Sequence, residues 1–159
     1  MKTKTIEIEF DCCRHDELTA EEEELAVAAA HATENSYARY SQFKVGAAVR
    51  LHDGRIVIGA NQENAAFPSG LCAERTALFA AQAQYPNHRV TMLAIAARNE
   101  DGVVAQPVTP CGACRQVIAG VEDRQGTPMK VILYGTDCIY RIHSAKDLLP
   151  LAFADASMR

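Results

Sequence analysis

No cluster of lysines and arginines occurs anywhere in these 159 residues, and the formal net charge is −4. Nonspecific affinity for nucleic acid comes from neutralising several phosphates at once, so this charge pattern argues against a polynucleotide partner. No apolar run approaches the length needed to span a bilayer, which argues against a membrane partner. The opening MKTKTIEIEF has basic residues but no apolar segment of signal-peptide length. Internal repeats, low-complexity tracts and linkers are also missing, which favours one domain. The expected location is the cytoplasm, where thiols stay reduced. What the chain does have is six cysteines. In a reducing compartment these are metal ligands, catalytic groups or small core residues rather than a disulfide framework.

The remaining composition, 48% hydrophobic and 23% charged, is that of a globular protein able to bury a core of its own. Ile6, Ile8 and Phe10 alternate with Glu7 and Glu9, which predicts a short strand with one buried face. Thr19 followed by Glu22 has the spacing of a capping box, and the alanine-rich run after it carries a helix forward. Residues 45–51 and 55–60 read as strands joined through His52-Asp53-Gly54, a hairpin signal. A helix over 72–84 ends before Pro86, and 90–97 is an apolar strand covered on both faces. Then come a helix over 111–119, a buried strand over 130–134, a strand over 138–142 and a short helix over 144–149. This order predicts an α/β, three-layer fold with a mixed sheet of about five strands flanked by helices.

Val108 to Gly120 reads VTPCGACRQVIAG, two thiols three positions apart at the start of a helix. Such a pair can exchange electrons or hold a metal, because the helix N-terminus favours thiolate in either case. A redox pair needs nothing more, whereas a metal needs further ligands. Cys72 stands in a matching context, where a loop enters a helix in Gly70-Leu71-Cys72-Ala73-Glu74-Arg75. Two helices following strands of one sheet can bring their starts together, so Cys72, Cys111 and Cys114 could take three corners of a tetrahedron around Zn²⁺. Three protein ligands leave one corner for water, the catalytic rather than the closed structural arrangement. A redox pair leaves Cys72-Ala73-Glu74 unexplained, and a closed site would need Cys138, which has no partner spacing. Cys12, Cys13 and Cys138 read as small half-buried residues. None of the five histidines has ligand spacing to the cysteines.

CAER at Cys72 to Arg75 and PCGACRQ at Pro110 to Gln116 resemble the zinc-dependent cytidine deaminases of the small-subunit, homotetrameric type. This broader signature is a described one. YSQFKVGAA (Tyr40 to Ala48), NQENAAF (Asn61 to Phe67) and LLPLAF (Leu148 to Phe153) extend the resemblance over about residues 20–155. The resemblance implies a cytidine-deaminase-like fold over 19–159, with residues 1–18 as an N-terminal extension. It further implies hydrolytic deamination of cytidine and deoxycytidine with one Zn²⁺ per chain, in a homotetramer whose active sites are shared between subunits.

The roles that follow from the resemblance are these. Cys72, Cys111 and Cys114 hold the metal, and Glu74 shuttles protons between water and the base. Lowering the pKa of water from about 15.7 to about 7 corresponds to roughly 12 kcal/mol, against about 3–5 kcal/mol for acid–base help. The metal is the larger lever. Three thiolates leave the site at net −1, and Arg75 offsets that excess by donating to sulfur. Asn61 and Glu63 hold the ribose 3′-hydroxyl, a group that both donates and accepts. Phe43 and Phe67 line the substrate pocket, and the Ala73 N–H meets the base carbonyl. Phe153 reaches into a neighbouring subunit. Arg39 stands where the family has proline, Phe67 replaces a tyrosine, and the segment from Gly120 to Pro128 looks lengthened. A blasticidin-type aminopyrimidine deaminase and a noncatalytic zinc-binding interaction domain remain as alternatives.

Overall fold

The computed structural model describes residues 1–158. The strands are β1 (Asp11–Cys13), β2 (Lys44–Leu51), β3 (Ile56–Ala60), β4 (Val90–Asn99), β5 (Gly102–Val103), β6 (Lys130–Tyr134) and β7 (Ile139–Ile142). The helices are α1 (Ala20–Ala32), α2 (Ala73–Gln84) and α3 (Gly112–Gln125). The sheet has seven strands, ordered β1-β7-β6-β4-β2-β3, with β5 paired to the end of β4. Only β4 and β6 pair in parallel. A parallel pair cannot close through a tight turn, and α3 supplies the crossover.

Both sheet faces are covered. Alternate residues of β4 divide between them: Met92, Ala94 and Ala96 pack with Leu25, Ala26 and Ala29 of α1. Leu93 and Ile95 pack on the other face with Ala77 and Leu78 of α2 and Ile118 of α3. Two glycines set the spacing of these layers. A methyl at Gly46 would collide with the Ala29 carbonyl of α1, and one at Gly59 would lie 2.7 Å from the Ala73 carbonyl of α2. Each helix therefore rests directly on strand backbone.

The Thr19–Glu22 capping box forms as the sequence predicts, with the Thr19 hydroxyl accepting from the Glu22 N–H. Glu22 then does more than cap. Its side chain, 1% exposed, accepts from Lys130 Nζ at 2.6 Å and Arg141 Nη2 at 2.8 Å. Arg141 also donates to Asp11 of β1 and to the Glu17 carbonyl, so one buried carboxylate ties α1, β6 and β7 together and reaches β1 through Arg141.

Three expectations are corrected. The sheet has seven strands rather than about five, because β1 and the two-residue β5 add to its margins. The first strand lies at Asp11–Cys13 and not at Ile6 to Phe10, whose residues pair with nothing and stay about half exposed. Their alternation serves surface packing instead, with the Phe10 ring edge-on to Tyr140 at 5.1 Å. Helix α3 runs past Ala119 to Gln125, where Gly126 caps it at φ 66°. Val121 and Glu122 are buried beyond Gly120, so the apolar face continues through the glycine. The seemingly lengthened segment is largely the last turns of this helix.

Burial opposes ionisation of Glu22, but Lys130, the Thr19 amide and Arg141 outweigh it and hold the carboxyl at about 2 rather than 4.5. A carboxyl depressed on folding stabilises the native state above its unfolded value, and that contribution is lost as pH falls through the native one. The stability gap between wild type and Glu22→Gln should accordingly be full above pH 4.5 and close towards pH 2 in urea melts. A gap independent of pH would contradict it. Gly59→Ala should cost about 3 kcal/mol by overpacking, whereas Gly120→Ala, where a methyl meets nothing within 4 Å, should gain about 0.5–1 kcal/mol.

Candidate active site

Strands β3 and β4 are both antiparallel to β2, so they run the same way and the helices that follow them start at one edge of the sheet. Cys72 is the N-cap of α2 and Cys111 the N-cap of α3; neither helix start has a side-chain cap. Both sulfurs thus sit at the positive end of a helix, which favours anions. Cys114, one turn into α3, is fully buried beside them. The three sulfurs lie within 4.8 Å of one another, and Cys72 Sγ is 4.0 Å from Cys111 Sγ. Sulfurs bonded to tetrahedral zinc at about 2.3 Å stand roughly 3.8 Å apart, so the donor set fits that ion. No histidine joins the cluster among the described residues.

The charge balance is local. Arg75 Nη2 donates to Cys72 Sγ at 3.6 Å. Cys72 is pulled down to about 5, first by the hydrogen bond from the Cys114 thiol and then by Arg75 and Cys111, against the cost of burial. Cys114 is pushed up by its pairing with Cys72, by burial and by the charge of Glu74. One thiolate therefore forms ahead of the others, and a bound cation is what stabilises all three. Glu74, in the first turn of α2, is 4% exposed. Burial pushes its carboxyl above the usual range, and the neighbouring Cys72 adds to the shift. A carboxyl raised in this way holds a proton more readily than an exposed one, as a proton-transfer group requires.

A cleft of about 470 Å³ opens beside Cys72, with Tyr40, Asn61, Glu63, Asn64 and Phe67 among its walls. Its floor is stitched by backbone. Gln62 and Leu71 exchange N–H···O bonds of 2.9 Å in both directions, and the Glu63 N–H donates to the Tyr37 carbonyl at 2.8 Å. The Glu63 carboxylate accepts from the Tyr40 N–H at 2.7 Å and from the Ser41 N–H. Hydrogen bonds from Ser41 and Tyr40 hold its pKa below the usual value. Asn61 Oδ1 accepts from the Val45 N–H and the Ser36 hydroxyl, while Nδ2 donates to the Phe43 carbonyl.

Residues 19–126 match the family model of the cytidine and deoxycytidylate deaminase zinc-binding region. The chain belongs to this deaminase family. It is 42% identical over 133 residues to a cytidine deaminase of Halalkalibacterium halodurans, an alignment that covers 82% of this chain and 92% of that one. A cytidine deaminase of Mycobacterium tuberculosis is 35% identical over 79% of this chain and 84% of its own. The crystal structure of a cytidine deaminase from Burkholderia pseudomallei superposes with a TM-score of 0.69 at 41% identity, covering 86% of this chain and all of that one.

Within this deaminase chain the sequence-predicted residues fall into three groups. The sulfurs of Cys72, Cys111 and Cys114 cluster and Arg75 donates to the first of them, with Ala73 and Glu74 buried in the helical turn that begins at Cys72. Asn61, Glu63 and Phe67 line the adjoining cleft; Phe67 is 74% exposed, and its ring meets Tyr40 edge-on at 5.5 Å. Phe43 and Phe153 stand apart. Phe43 is half-buried and contributes its carbonyl to Asn61, without its ring lining the cleft. Phe153, 63% exposed, borders a larger cleft of about 920 Å³ between α3 and the C-terminal segment, which none of the clustered cysteines touches. Sequence reasoning did not single out Tyr40 and Ser41, whose amides hold Glu63. Their place in YSQFKVGAA does not disclose this contact, which forms only because the fold brings them to a carboxylate 23 and 22 residues away in the chain.

If Arg75 and the neighbouring thiols set the acidity of Cys72, its alkylation in metal-free protein should titrate with a midpoint near 5. In Arg75→Gln the midpoint should move upward, as read at the Cys72 peptide by mass spectrometry. An unmoved midpoint would assign the shift to the other thiols alone.

Proposed function

We propose that the chain catalyses hydrolytic deamination of cytidine and deoxycytidine to uridine and deoxyuridine, releasing ammonia, in pyrimidine salvage. The observation that carries this reading is a buried Glu74 in the helical turn that begins at Cys72 of a three-sulfur cluster, beside a cleft lined by Glu63. Family membership supports it, as do relatives named cytidine deaminase in Halalkalibacterium halodurans and Mycobacterium tuberculosis.

Cys72, Cys111 and Cys114 would hold one Zn²⁺, which when bound supplies the Lewis acidity that makes water nucleophilic near neutral pH. The chain's own residues do the rest. Glu74 Oε takes a proton from the attacking water and delivers it to ring N3 as the new C4–O bond forms. It then carries the proton of the new C4 hydroxyl to the exocyclic amine, and the C4–N bond breaks with ammonia leaving as C4=O forms. Water supplies the oxygen of the product, so atoms balance without a further co-reactant. Burial raises the Glu74 carboxyl above its usual range, which favours its taking up the first proton. The Arg75 guanidinium offsets the negative charge of the sulfurs.

At the other end of the substrate, two hydrogen-bonding partners suit one ribose hydroxyl. Glu63 accepts its proton, and the second N–H of Asn61 Nδ2, left over after the Phe43 carbonyl, can donate to its oxygen. The Ala73 N–H, in the first turn of α2 and without a helical acceptor, suits the base carbonyl. Exposed Leu151 and Phe153 in the C-terminal segment support a homotetramer in which this segment reaches a neighbouring cleft. Three reduced thiols suit the cytoplasm, and no helix among the described residues is long and apolar enough to cross a membrane.

The decisive assay follows the ultraviolet absorbance of cytidine with wild type and Glu74→Gln, each checked for metal content. Turnover in wild type should fall at least about 10²–10⁴-fold in the variant, with zinc retained. A wild type holding one zinc per chain yet inert to cytidine would favour an interaction domain. Turnover of other aminopyrimidine nucleosides alone would favour the blasticidin type.

A further inference from the structure

Cys111 is the odd ligand of the three. Cys114 is sealed in the core and Cys72 is half-buried, but Cys111 is exposed. It also ends a stretch, Ala105 to Pro110, that forms no helix or strand. Side-chain packing is therefore poorly placed to hold its sulfur.

One residue grips the backbone on both sides of Cys111. The backbone N–H of Arg115 donates to the Cys111 carbonyl at 2.9 Å. Its Nε donates to the Pro110 carbonyl at 2.8 Å, and Nη1 donates to the Leu148 carbonyl at 3.1 Å. The Pro110 carbonyl belongs to the peptide group whose nitrogen is that of Cys111. Both peptide planes flanking the ligand are thus fixed by Arg115, and these planes set the direction of the Cα–Cβ bond that carries the sulfur. The third bond anchors the guanidinium to the 3₁₀ turn Ala145–Leu148, so the brace is held at both ends. A planar fork with several donors can reach two carbonyls at once; an ammonium on a flexible stem is a poor substitute.

We propose that Arg115 is a positioning residue of the metal site, acting through backbone to hold the Cys111 sulfur in register with Cys72 and Cys114. This rests on the zinc site proposed above and adds a residue that touches neither metal nor substrate. Outer-shell partners that orient a ligand typically change metal affinity by about 10–100-fold. The comparison that isolates the effect is Glu122, farther along α3. Its buried carboxylate accepts from the Met129 N–H at 2.8 Å, the Ala145 N–H at 2.7 Å and the Ser144 hydroxyl. It ties the same helix to the same 3₁₀ turn, but does not contact the metal loop.

The test uses zinc-loaded wild type, Arg115→Gln, Arg115→Lys and Glu122→Gln. Zinc release to a chromogenic chelator and the thiolate-to-metal absorption of the cobalt(II)-substituted proteins are read, with thermal melts alongside. Arg115→Gln should release zinc roughly 10–100-fold faster and shift the cobalt spectrum, with Arg115→Lys only partly restoring both. Glu122→Gln should lower the melting temperature while releasing zinc at the wild-type rate. Wild-type release and spectrum in Arg115→Gln would overturn the proposal. So would equal acceleration in Glu122→Gln, which would mean general loosening of the helix. Should Arg115→Gln fail to fold, Arg115→Lys decides on the same criteria. Neither readout needs substrate, so a failure here is separable from a failure of the deaminase reading.

Discussion

The convergence of two helix starts over one sheet edge is the constraint on which the site depends. A thiol on one helix cannot choose its distance from a thiol on another; the sheet chooses it. Here β3 and β4 run in the same direction on either side of β2, and α2 and α3 leave from the same edge. Gly59 lets α2 sit on strand backbone, which fixes the height of Cys72, Glu74 and Arg75 together. Because all three belong to the first turn of one helix, an error in that height would displace the Cys72 sulfur, the Glu74 carboxyl and the Arg75 guanidinium at once.

The electrostatics follow from this placement. The positive ends of two helix N-termini, together with Arg75, offset the negative charge that collects on the sulfurs. The carboxyl of Glu74 is buried in the same place and feels the opposite pressure, away from ionisation. One pocket therefore keeps the Cys72 sulfur acidic and the Glu74 carboxyl basic. That separation is what lets neighbouring groups divide ligand work from proton work. Glu22, on the opposite side of the sheet, shows the contrast: it is as deeply buried, yet two cations and a capped amide keep it charged. Burial alone does not decide a carboxyl's behaviour; the donors around it do.

Much of this was legible in the sequence where local chemistry is strict. The Thr19–Glu22 box, the hairpin through Asp53-Gly54 and the two cysteine-led helix starts each depend on residues adjacent in the chain, and each formed as read. The errors lie where tertiary context overrides local pattern. The alternation from Ile6 to Phe10 has the period of a strand, but the chain pairs only from Asp11 onward, where Arg141 holds Asp11 beside β7. Gly120 looked like a helix end, yet the buried face continues to Val121 and Glu122 and the left-handed glycine is Gly126. Tyr40, Ser41 and Arg115 lie within motifs the sequence displays, but their roles were not legible because their hydrogen bonds run through peptide groups that only the fold brings within reach.

That last point bears on how the site holds its substrate. Leu71 and Gln62 exchange two backbone hydrogen bonds; Cys72 follows the first residue and Glu63 the second. On the proposed reading, the backbone span between the metal-binding end and the ribose-binding end is set by one β-bridge. Side chains at either end can settle by a few tenths of an ångström without changing that span. A substrate reacting at its base and held by its sugar requires this rigidity, because proximity catalysis degrades steeply with misplacement of about 1 Å. On the proposed reading, the bridge is what turns two separate recognition surfaces into a ruler for a nucleoside.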